Sequence, residues 1–519
     1  PGSSRLATRC VQAAPTGTTS KTATAGNDKT AVVVGAGVGG LAMAGRLARA
    51  GYKVQLLEKN EIVGGRCQSE MPPEAEGYRW DTGPSLLLMP SKYREAFEAL
   101  GEKFEDHVEI RRVEPTAVRC HYGDHTNMDL LYDMEKMREQ LEQEEEGAGG
   151  KYFRFLGAAR ASYDLGLKAF IEQDSKSILD FVDLRRVGPL ALAVNPIDLL
   201  LSQERQLCNY FKSPKIRALF SYQELYVGLS PYNAPGVFSL LAATELTDGV
   251  WYPVGGFQKV RDALKGIAEK NGVKIRTQTE VARIVVDDEP VPGEDEQTRK
   301  IVKGVQLKNG EVIESDVVVA NPDTPYVFDE LLDFPEADKE AQRLEQGSYS
   351  CGMIEFNFAL KGRLEGLTQH NVFLSSDYRG SWQRPWQPSD FAAPQQHNFY
   401  VHRPTYTDHT AAPDGCDSIM VLLPIANEQE MKKRAIKEGK PMPSEEDMIA
   451  AGREAVLRRF AEAGHGDLAS MLQHEFIIGP SQWKKRLNLK QGSIFGMSHG
   501  LLQLACFRAP RQTGISFLD

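Results

Sequence analysis

Residues 31–66 read AVVVGAGVGGLAMAGRLARAGYKVQLLEKNEIVGGR. An apolar strand leads into a glycine-rich turn, a helix of small residues follows, and a second strand ends at the acidic Glu58. Within the turn, Gly35, Gly37 and Gly40 complete the pattern G-x-G-x-x-G. This order of elements predicts a βαβ unit of the kind that binds dinucleotides.

The glycines of the turn have distinct expected roles. Gly35 permits a tight turn, Gly37 lets the backbone approach a pyrophosphate, and Gly40 allows the helix to pack closely on the strand. Gly39 lies in the same turn, next to Val38, where the helix is expected to begin. The N–H groups and the positive end of the helix dipole then face the phosphates, so the turn requires no Lys or Arg.

Residues after the second strand extend the predicted nucleotide site. Glu58 stands where a carboxylate accepts both hydrogen bonds of an adenosine ribose diol, and Lys59 follows it directly. Gly64 and Gly65 give a second close approach of the backbone. Arg66 comes next and can meet a phosphate. An ordinary strand–helix turn is the alternative, and the flanking strand, helix and acid argue against it.

The Gly64-Gly65-Arg66 segment, together with Asp81-Thr82-Gly83-Pro84, resembles the flavin-binding N-terminus of the amine oxidase and carotenoid desaturase superfamily. The resemblance implies FAD as the cofactor and places Gly83 and Pro84 beside it. Glu280 and Val281 open a predicted strand, where a pair of backbone groups is expected to bind the adenine edge.

The length and composition of the chain allow two or more lobes and restrict the classes of molecule that it is expected to bind. The chain has 519 residues, of which 41% are hydrophobic and 25% charged, and its formal net charge is −10. This charge argues against nucleic acid, because phosphate backbones are bound by basic surfaces. The seven cysteines are scattered without a C-x-x-C pair, so neither a disulfide framework nor a zinc site is predicted. His121 and His125 flank a Gly-Asp turn, and no metal is expected.

The first 29 residues are rich in Ser, Thr, Ala and Gly and contain no acid before Asp28. Such a segment is expected to be disordered. It resembles a plastid transit peptide, and a disordered tail is the alternative. The predicted location is the surface of a plastid membrane, with a membrane-associated cytoplasmic protein as the alternative.

Contact with a membrane is expected without a transmembrane helix, because no run of about 18 uncharged apolar residues occurs. Residues 187–201 are mostly apolar, follow two arginines and are too short to span a bilayer. Two interpretations stay open for them: a helix that dips into one leaflet, or a buried element of the core.

The alternation of helical and strand-like patterns predicts an α/β fold in which neither lobe is continuous in sequence. A Rossmann-like FAD-binding lobe is expected to interleave with a substrate lobe of mixed sheet and membrane-facing helices. The predicted boundaries are 1–29 for the leader, 30–115, 251–330 and 481–519 for the FAD-binding lobe, and 116–250 and 331–480 for the substrate lobe.

Three further blocks, at residues 218–260, 399–425 and 487–508, make the resemblance more specific. With them, the chain from about residue 30 to 508 resembles the bacterial and fungal phytoene desaturases and the related carotene isomerases. The resemblance implies an FAD-dependent oxidoreductase that acts on CH–CH bonds of a long polyene such as phytoene or a carotene. In the family, the counterpart of Gly255 and Gly256 runs past the flavin, which implies a cofactor contact for both glycines.

The chemistry that this resemblance implies needs few acid–base side chains, since flavin N5 accepts a hydride and a nearby base or water accepts a proton. No catalytic residue is assigned. Glu224 and Glu245 are candidate proton acceptors, although carboxylates on a solvated helix face are the favoured interpretation. A hydrophobic tunnel or an ordinary core is predicted for the aromatic residues Tyr222, Tyr226, Tyr232, Phe238, Trp251 and Tyr252.

Two other functions stay open: a carotene cis–trans isomerase with the same flavin site, and a catalytically silent homologue that binds a carotenoid or a membrane complex. The family continues after the counterpart of Arg508 with a strand, a turn and a helix that close over the flavin. This chain shows no such motif, so weak binding of FAD is expected. The expected partners are a hydrophobic polyene and a membrane surface, and the oligomeric state is left open.

Overall fold

The computed structural model describes residues 29–168, 172, 201–290, 298–500 and 503. Several predictions from sequence lie outside these residues. They concern the leader up to residue 28, the possible membrane segment at 187–200, and the end of the chain around residue 508.

Strands and helices are interspersed along the described residues. They are β1 (Thr30–Val34), β2 (Lys53–Leu57), β3 (Ser69–Glu70), β4 (Trp80–Asp81), β5 (Ile110–Arg112), β6 (Thr116–His121), β7 (Asn127–Leu131), β8 (Trp251–Pro253), β9 (Lys274–Arg276), β10 (Val281–Pro290), β11 (Thr298–Leu307), β12 (Val312–Glu314), β13 (Val317–Ala320), β14 (Gly352–Leu360), β15 (His370–Phe373), β16 (Phe399–His402), β17 (Asp417–Ile425) and β18 (Leu472–Ile478).

Along the sequence, most of the described helices lie between strands of the four-stranded and seven-stranded sheets described below. The described α-helices are Val38–Arg49, Pro90–Ala99, Met134–Glu144, Ala148–Gly166, Gln203–Leu207, Pro214–Leu219, Glu224–Val227, Leu240–Ala243, Gln258–Lys270, Thr324–Tyr326, Pro335–Glu345, Glu428–Glu438, Glu445–Glu462, Leu468–Met471 and Pro480–Leu487. Thr244–Asp248 and Val327–Leu331 are π-helical. Among the described helices, none is long and apolar enough to cross a bilayer.

A four-stranded parallel sheet, in the order β13-β1-β2-β9, carries the nucleotide-binding motif. Strand β1 lies in its centre, and Val32 pairs with Gln55 of β2 and Val318 of β13. Buried apolar side chains on both faces of β1 explain its continuous hydrophobic run. The helix Val38–Arg49 packs on this sheet through Gly40, Leu41 and Ala44.

A seven-stranded mixed sheet, in the order β18-β14-β17-β16-β15-β6-β7, forms the second lobe. Side chains of β14 alternate between its two faces. Ile354, Phe356 and Phe358 join an apolar core with the helix Glu445–Glu462. The next residues in the alternation, Met353 and Glu355, line the cavity described below.

The predicted α/β class is therefore confirmed, with a nucleotide-binding sheet and a separate mixed sheet. Residues 312–319 form two separate strands instead of one continuous strand. Strand β12 pairs with β11 in a three-stranded sheet, whereas β13 pairs with β1 in the nucleotide-binding sheet. Asp316 marks the break, where its carboxylate accepts a hydrogen bond from Thr30 N at 2.7 Å.

Candidate functional site

A cavity of about 550 Å³ lies between the glycine turn of the parallel sheet and strand β14 of the mixed sheet. Its volume falls in the range of small-molecule and cofactor sites. The sequence-predicted residues that line it are Gly35, Gly37, Gly39, Glu58, Lys59, Gly64, Gly65, Arg66, Gly83, Pro84 and Val281. The structure therefore brings together segments far apart in the chain, while their contacts with a cofactor stay a prediction.

The glycine turn has the close packing that its sequence predicts. Gly35 has a φ of +89°, a conformation that favours glycine. A Cβ added at Gly40 would overlap the carbonyl oxygen of Gly35, so Gly40 packs the helix on the turn instead of lining the cavity. Gly64 donates its N–H to the Ala36 carbonyl at 2.7 Å, which joins the second glycine pair to the first turn.

Glu58 fixes the position of this turn through its carboxylate. Oε2 accepts a hydrogen bond from Ala36 N at 2.8 Å. Oε1 accepts from the backbone N of Asn60 at 3.0 Å and from its Nδ2 at 2.8 Å. Because a carboxylate offers about four acceptor positions, three of which are used here, about one position stays open toward a ligand.

The helix Pro480–Leu487 borders the cavity beside Glu58, and Lys59 contacts the end of this helix. Lys59 Nζ donates to the carbonyl of Lys485 at 2.5 Å and to Oδ1 of Asn488. Asn60 Nδ2 also donates to the carbonyl of Arg486 at 3.1 Å. Burial lowers the pKa of Lys59. Lys59 thus satisfies carbonyl groups at a helix C-terminus, where a cation is favourable.

Asn321 is a lining residue that the sequence analysis missed. It follows β13, and its N–H donates to the Val34 carbonyl at 2.9 Å. Its side chain lies over the glycine turn, since a Cβ at Gly39 would come within 2.8 Å of Asn321 Oδ1. The position was recognisable in principle, because ligands of parallel sheets bind at the carboxyl ends of the strands.

Gly255 and Gly256 do not line the cavity, and their contact with a cofactor stays a prediction. Gly255 N donates to Oδ2 of Asp408 at 2.7 Å, and Arg79 pairs with the same carboxylate at 2.6 Å. A Cβ at Gly256 would come within 2.8 Å of Asp81 Oδ1. The two glycines make room for a buried polar cluster between the lobes.

Asp81 is the centre of that cluster and is fully buried. Its Oδ1 accepts from Ser69 Oγ at 2.6 Å and from Phe257 N at 2.8 Å, and its Oδ2 accepts from Tyr252 OH at 2.6 Å. Burial raises the pKa of Asp81, and these hydrogen bonds oppose the rise. Asp81 thereby joins β3, β4, β8 and the start of the helix Gln258–Lys270.

The expectation that Glu224 and Glu245 are solvated is wrong, since both are fully buried. Glu245 Oε2 accepts from Tyr222 OH at 2.8 Å and from Gln223 Nε2 at 2.9 Å. Burial raises the pKa of Glu245 to about 7 against these hydrogen bonds. Neither carboxylate lines the cavity. The sequence shows only that both residues are charged, and it does not show that the surrounding helices bury them.

The six aromatic residues weighed between tunnel and core are all described, and none lines this cavity. Tyr222 and Tyr252 are fully buried members of the main hydrophobic core. Tyr226 and Trp251 pack against that core while partly buried. The structure thus favours the core interpretation for these four residues.

Glu355 is the second lining residue that the sequence analysis missed. It is fully buried in the wall of the cavity, on β14, where it pairs with Leu422 of β17. Asn357 Nδ2 donates to its Oε1 at 2.9 Å. Burial raises the pKa of Glu355 to about 8, against the opposing effect of that hydrogen bond. The signal in the sequence was a single acid within the otherwise uncharged strand GMIEFNFAL.

Comparison with known proteins agrees with this geometry. Residues 38–357 match the family described as "Flavin containing amine oxidoreductase". The phytoene desaturase of Neurospora crassa is 34% identical, over 92% of this chain and 78% of that protein. The phytoene desaturase of Phycomyces blakesleeanus is 36% identical, over 93% of this chain and 79% of that protein. Cyclohexylamine oxidase from Brevibacterium oxydans shares the fold, with a TM-score of 0.53, 15% identity, and coverage of 92% of this chain and 90% of that one.

Proposed function

The chain belongs to the flavin-containing amine oxidoreductases, in the family of the phytoene desaturases, and is a flavin-dependent oxidoreductase; from this premise we propose that it binds FAD and introduces double bonds into a carotenoid precursor such as phytoene. The observation that carries the proposal is the single cavity that joins the glycine turn, the Gly83-Pro84 loop and strand β14. A nucleotide and a redox-active ring would therefore share one continuous space.

The residues of the cavity suit the parts of FAD. The turn at Gly37 and the N-terminus of the helix Val38–Arg49 would hold the pyrophosphate. Glu58 would accept a ribose hydroxyl, and the backbone at Val281 would border the adenine. The flavin ring would lie toward Pro84 and Leu422, where it supplies the hydride acceptor of the reaction.

The proposed substrate offers no polar group for recognition, so shape and apolar contact would set its position. Such a hydrocarbon is held in lipid, and we propose that it reaches the protein from a membrane surface. The test uses the full chain loaded with FAD and mixed anaerobically with phytoene in liposomes. We expect the flavin absorbance to bleach as a polyene with more double bonds forms. Isomerised phytoene without bleaching would contradict desaturation.

Replacement of Glu58 by alanine is expected to weaken binding of FAD by about 1.5–3 kcal/mol, the range for a charge-assisted hydrogen bond. The variant loses a ribose contact and also the carboxylate that fixes the turn through Ala36. Flavin fluorescence titration measures the change in Kd. Glu61→Ala is the control, because Glu61 is exposed three residues further along. Equal affinity of Glu58→Ala and wild type would contradict the placement of the ribose.

A further inference from the structure

The wall of the cavity contains a carboxylate that the flavin chemistry leaves unassigned. Glu355 is fully buried, and its Oε1 is bound by Asn357 Nδ2 at 2.9 Å. Among the described residues, Oε2 has no hydrogen-bond partner. A buried polar atom without a partner is costly, so such groups require an explanation. Its neighbour Leu422 lines the same cavity.

We propose that Glu355 is the catalytic base that takes the proton released when the polyene is dehydrogenated. This inference rests on the proposed function. Two C–H bonds on adjacent carbons break and one C=C bond forms. A bound flavin would supply the acceptor for one hydrogen as a hydride, and the Glu355 carboxylate would take the other as a proton and become a neutral acid. Atoms and electrons therefore balance with the flavin as the oxidant.

The surroundings of Glu355 suit a base that works near neutral pH. Three charged groups from neighbouring elements face it: Arg486 of the helix Pro480–Leu487, Glu70 of β3 and Asp81 of β4. Arg486 favours the carboxylate, but it is paired with Glu70 at 3.0 Å, and both acids favour the neutral form. Burial adds to this preference, so the Glu355 carboxylate is a stronger base than a solvated one.

Asn357 would act as a positioning residue for this base. Its amide lies two residues along the same strand and holds Oε1, which leaves Oε2 as the oxygen for the proton. Side chains two apart in a strand share a face, so the pair is built into the pleat of β14. The remaining side chains of the strand on that face offer no second carboxylate.

The test compares wild type with Glu355→Gln, whose amide keeps the shape of the side chain and cannot take up a proton near neutral pH. Single-turnover bleaching of FAD by phytoene in liposomes is followed between about pH 6 and 9. For wild type, we expect the rate to rise with pH and to level off above about 8, because only the carboxylate is active. For Glu355→Gln, we expect a rate lower by about 100-fold or more and no such rise.

Two further readouts do not depend on turnover. Fluorescence titration is expected to give similar FAD affinity for both proteins, since the proposed role concerns the proton. The raised pKa predicts that the neutral form of Glu355 stabilises the fold below its ordinary pKa of 4.5, and that this stabilisation is lost as the pH rises to about 8. Urea unfolding of Glu355→Gln should lack this loss.

Glu340→Gln serves as the control, because Glu340 is a buried carboxyl, paired with Arg343, that does not line the cavity. If Glu355→Gln does not fold, Glu355→Asp is expected to give an intermediate rate and a shifted pH profile, and an unchanged profile would overturn the proposal. Normal bleaching in Glu355→Gln would overturn the role of Glu355 alone. A wild-type protein that binds FAD but is reduced by no polyene would overturn the proposed function and this role together.

Discussion

Replacement of Gly37 by valine is expected to abolish retention of FAD. Gly37 precedes the helix Val38–Arg49, at the point where the N–H groups converge on the cavity. An added Cβ would lie 3.1 Å from Nδ2 of Asn321, and the two methyl groups of valine would extend into the space needed for a pyrophosphate. Loss of two charge-assisted hydrogen bonds to phosphate, at about 1.5–3 kcal/mol each, weakens binding by about 100-fold or more.

The measurement is the ratio of flavin to protein absorbance after purification, followed by titration with FAD. Gly266→Ala is the matched control, since Gly266 is exposed on the helix Gln258–Lys270 and an added Cβ has no atom within 4 Å. Alanine should keep the flavin and stabilise this helix by up to about 1 kcal/mol. A Gly37→Val protein that purifies with the wild-type amount of FAD would show that the cavity is not the nucleotide site.

Removal of the Asp81 side chain is expected to cause the largest loss of stability. Asp81→Ala leaves Ser69 Oγ, Tyr252 OH and Phe257 N without their acceptor in a fully buried environment. The expected decrease in the free energy of unfolding is about 3–5 kcal/mol. Urea unfolding followed by circular dichroism measures it through the shift of the midpoint.

Asp81→Asn separates the hydrogen bonds from the charge. The amide oxygen can replace Oδ1 for Ser69 and Phe257, whereas the amide nitrogen cannot accept from Tyr252. The expected loss is therefore smaller than for alanine. Equal midpoints for wild type and Asp81→Ala would show that the cluster does not hold the lobes together.

The sequence was most informative where a local pattern determines a local structure. The turn from Gly35 to Gly40 and the acid at Glu58 follow from the tight approach of strand, helix and ligand within one βαβ unit. The same reasoning was less informative for Gly255 and Gly256, which do not line the cavity. A glycine pair before a helix is a local signal of close approach, and it does not say whether a phosphate or a buried Asp408 comes close.

Lining residues contributed by distant segments were less predictable. Asn321, Trp483 and Glu355 line the cavity from separate elements, and each lies in a stretch with no pattern of its own. The burial of Glu224 could not be predicted for a related reason. Burial depends on tertiary packing, whereas the local sequence shows only a charged residue on a short helix. The family resemblance implied a site without Asn321, Trp483 and Glu355.

The order β13-β1-β2-β9 has a consequence for synthesis on the ribosome. Strand β1 meets β2 soon after both leave the exit tunnel, but its other neighbour, β13, begins only at Val317. The nascent βαβ unit therefore waits with an open, apolar strand edge while most of the intervening lobe is translated. Open edges of this kind invite wrong pairing. Completion of this sheet is thus a late event in biogenesis, and chaperones have a long interval in which to protect β1.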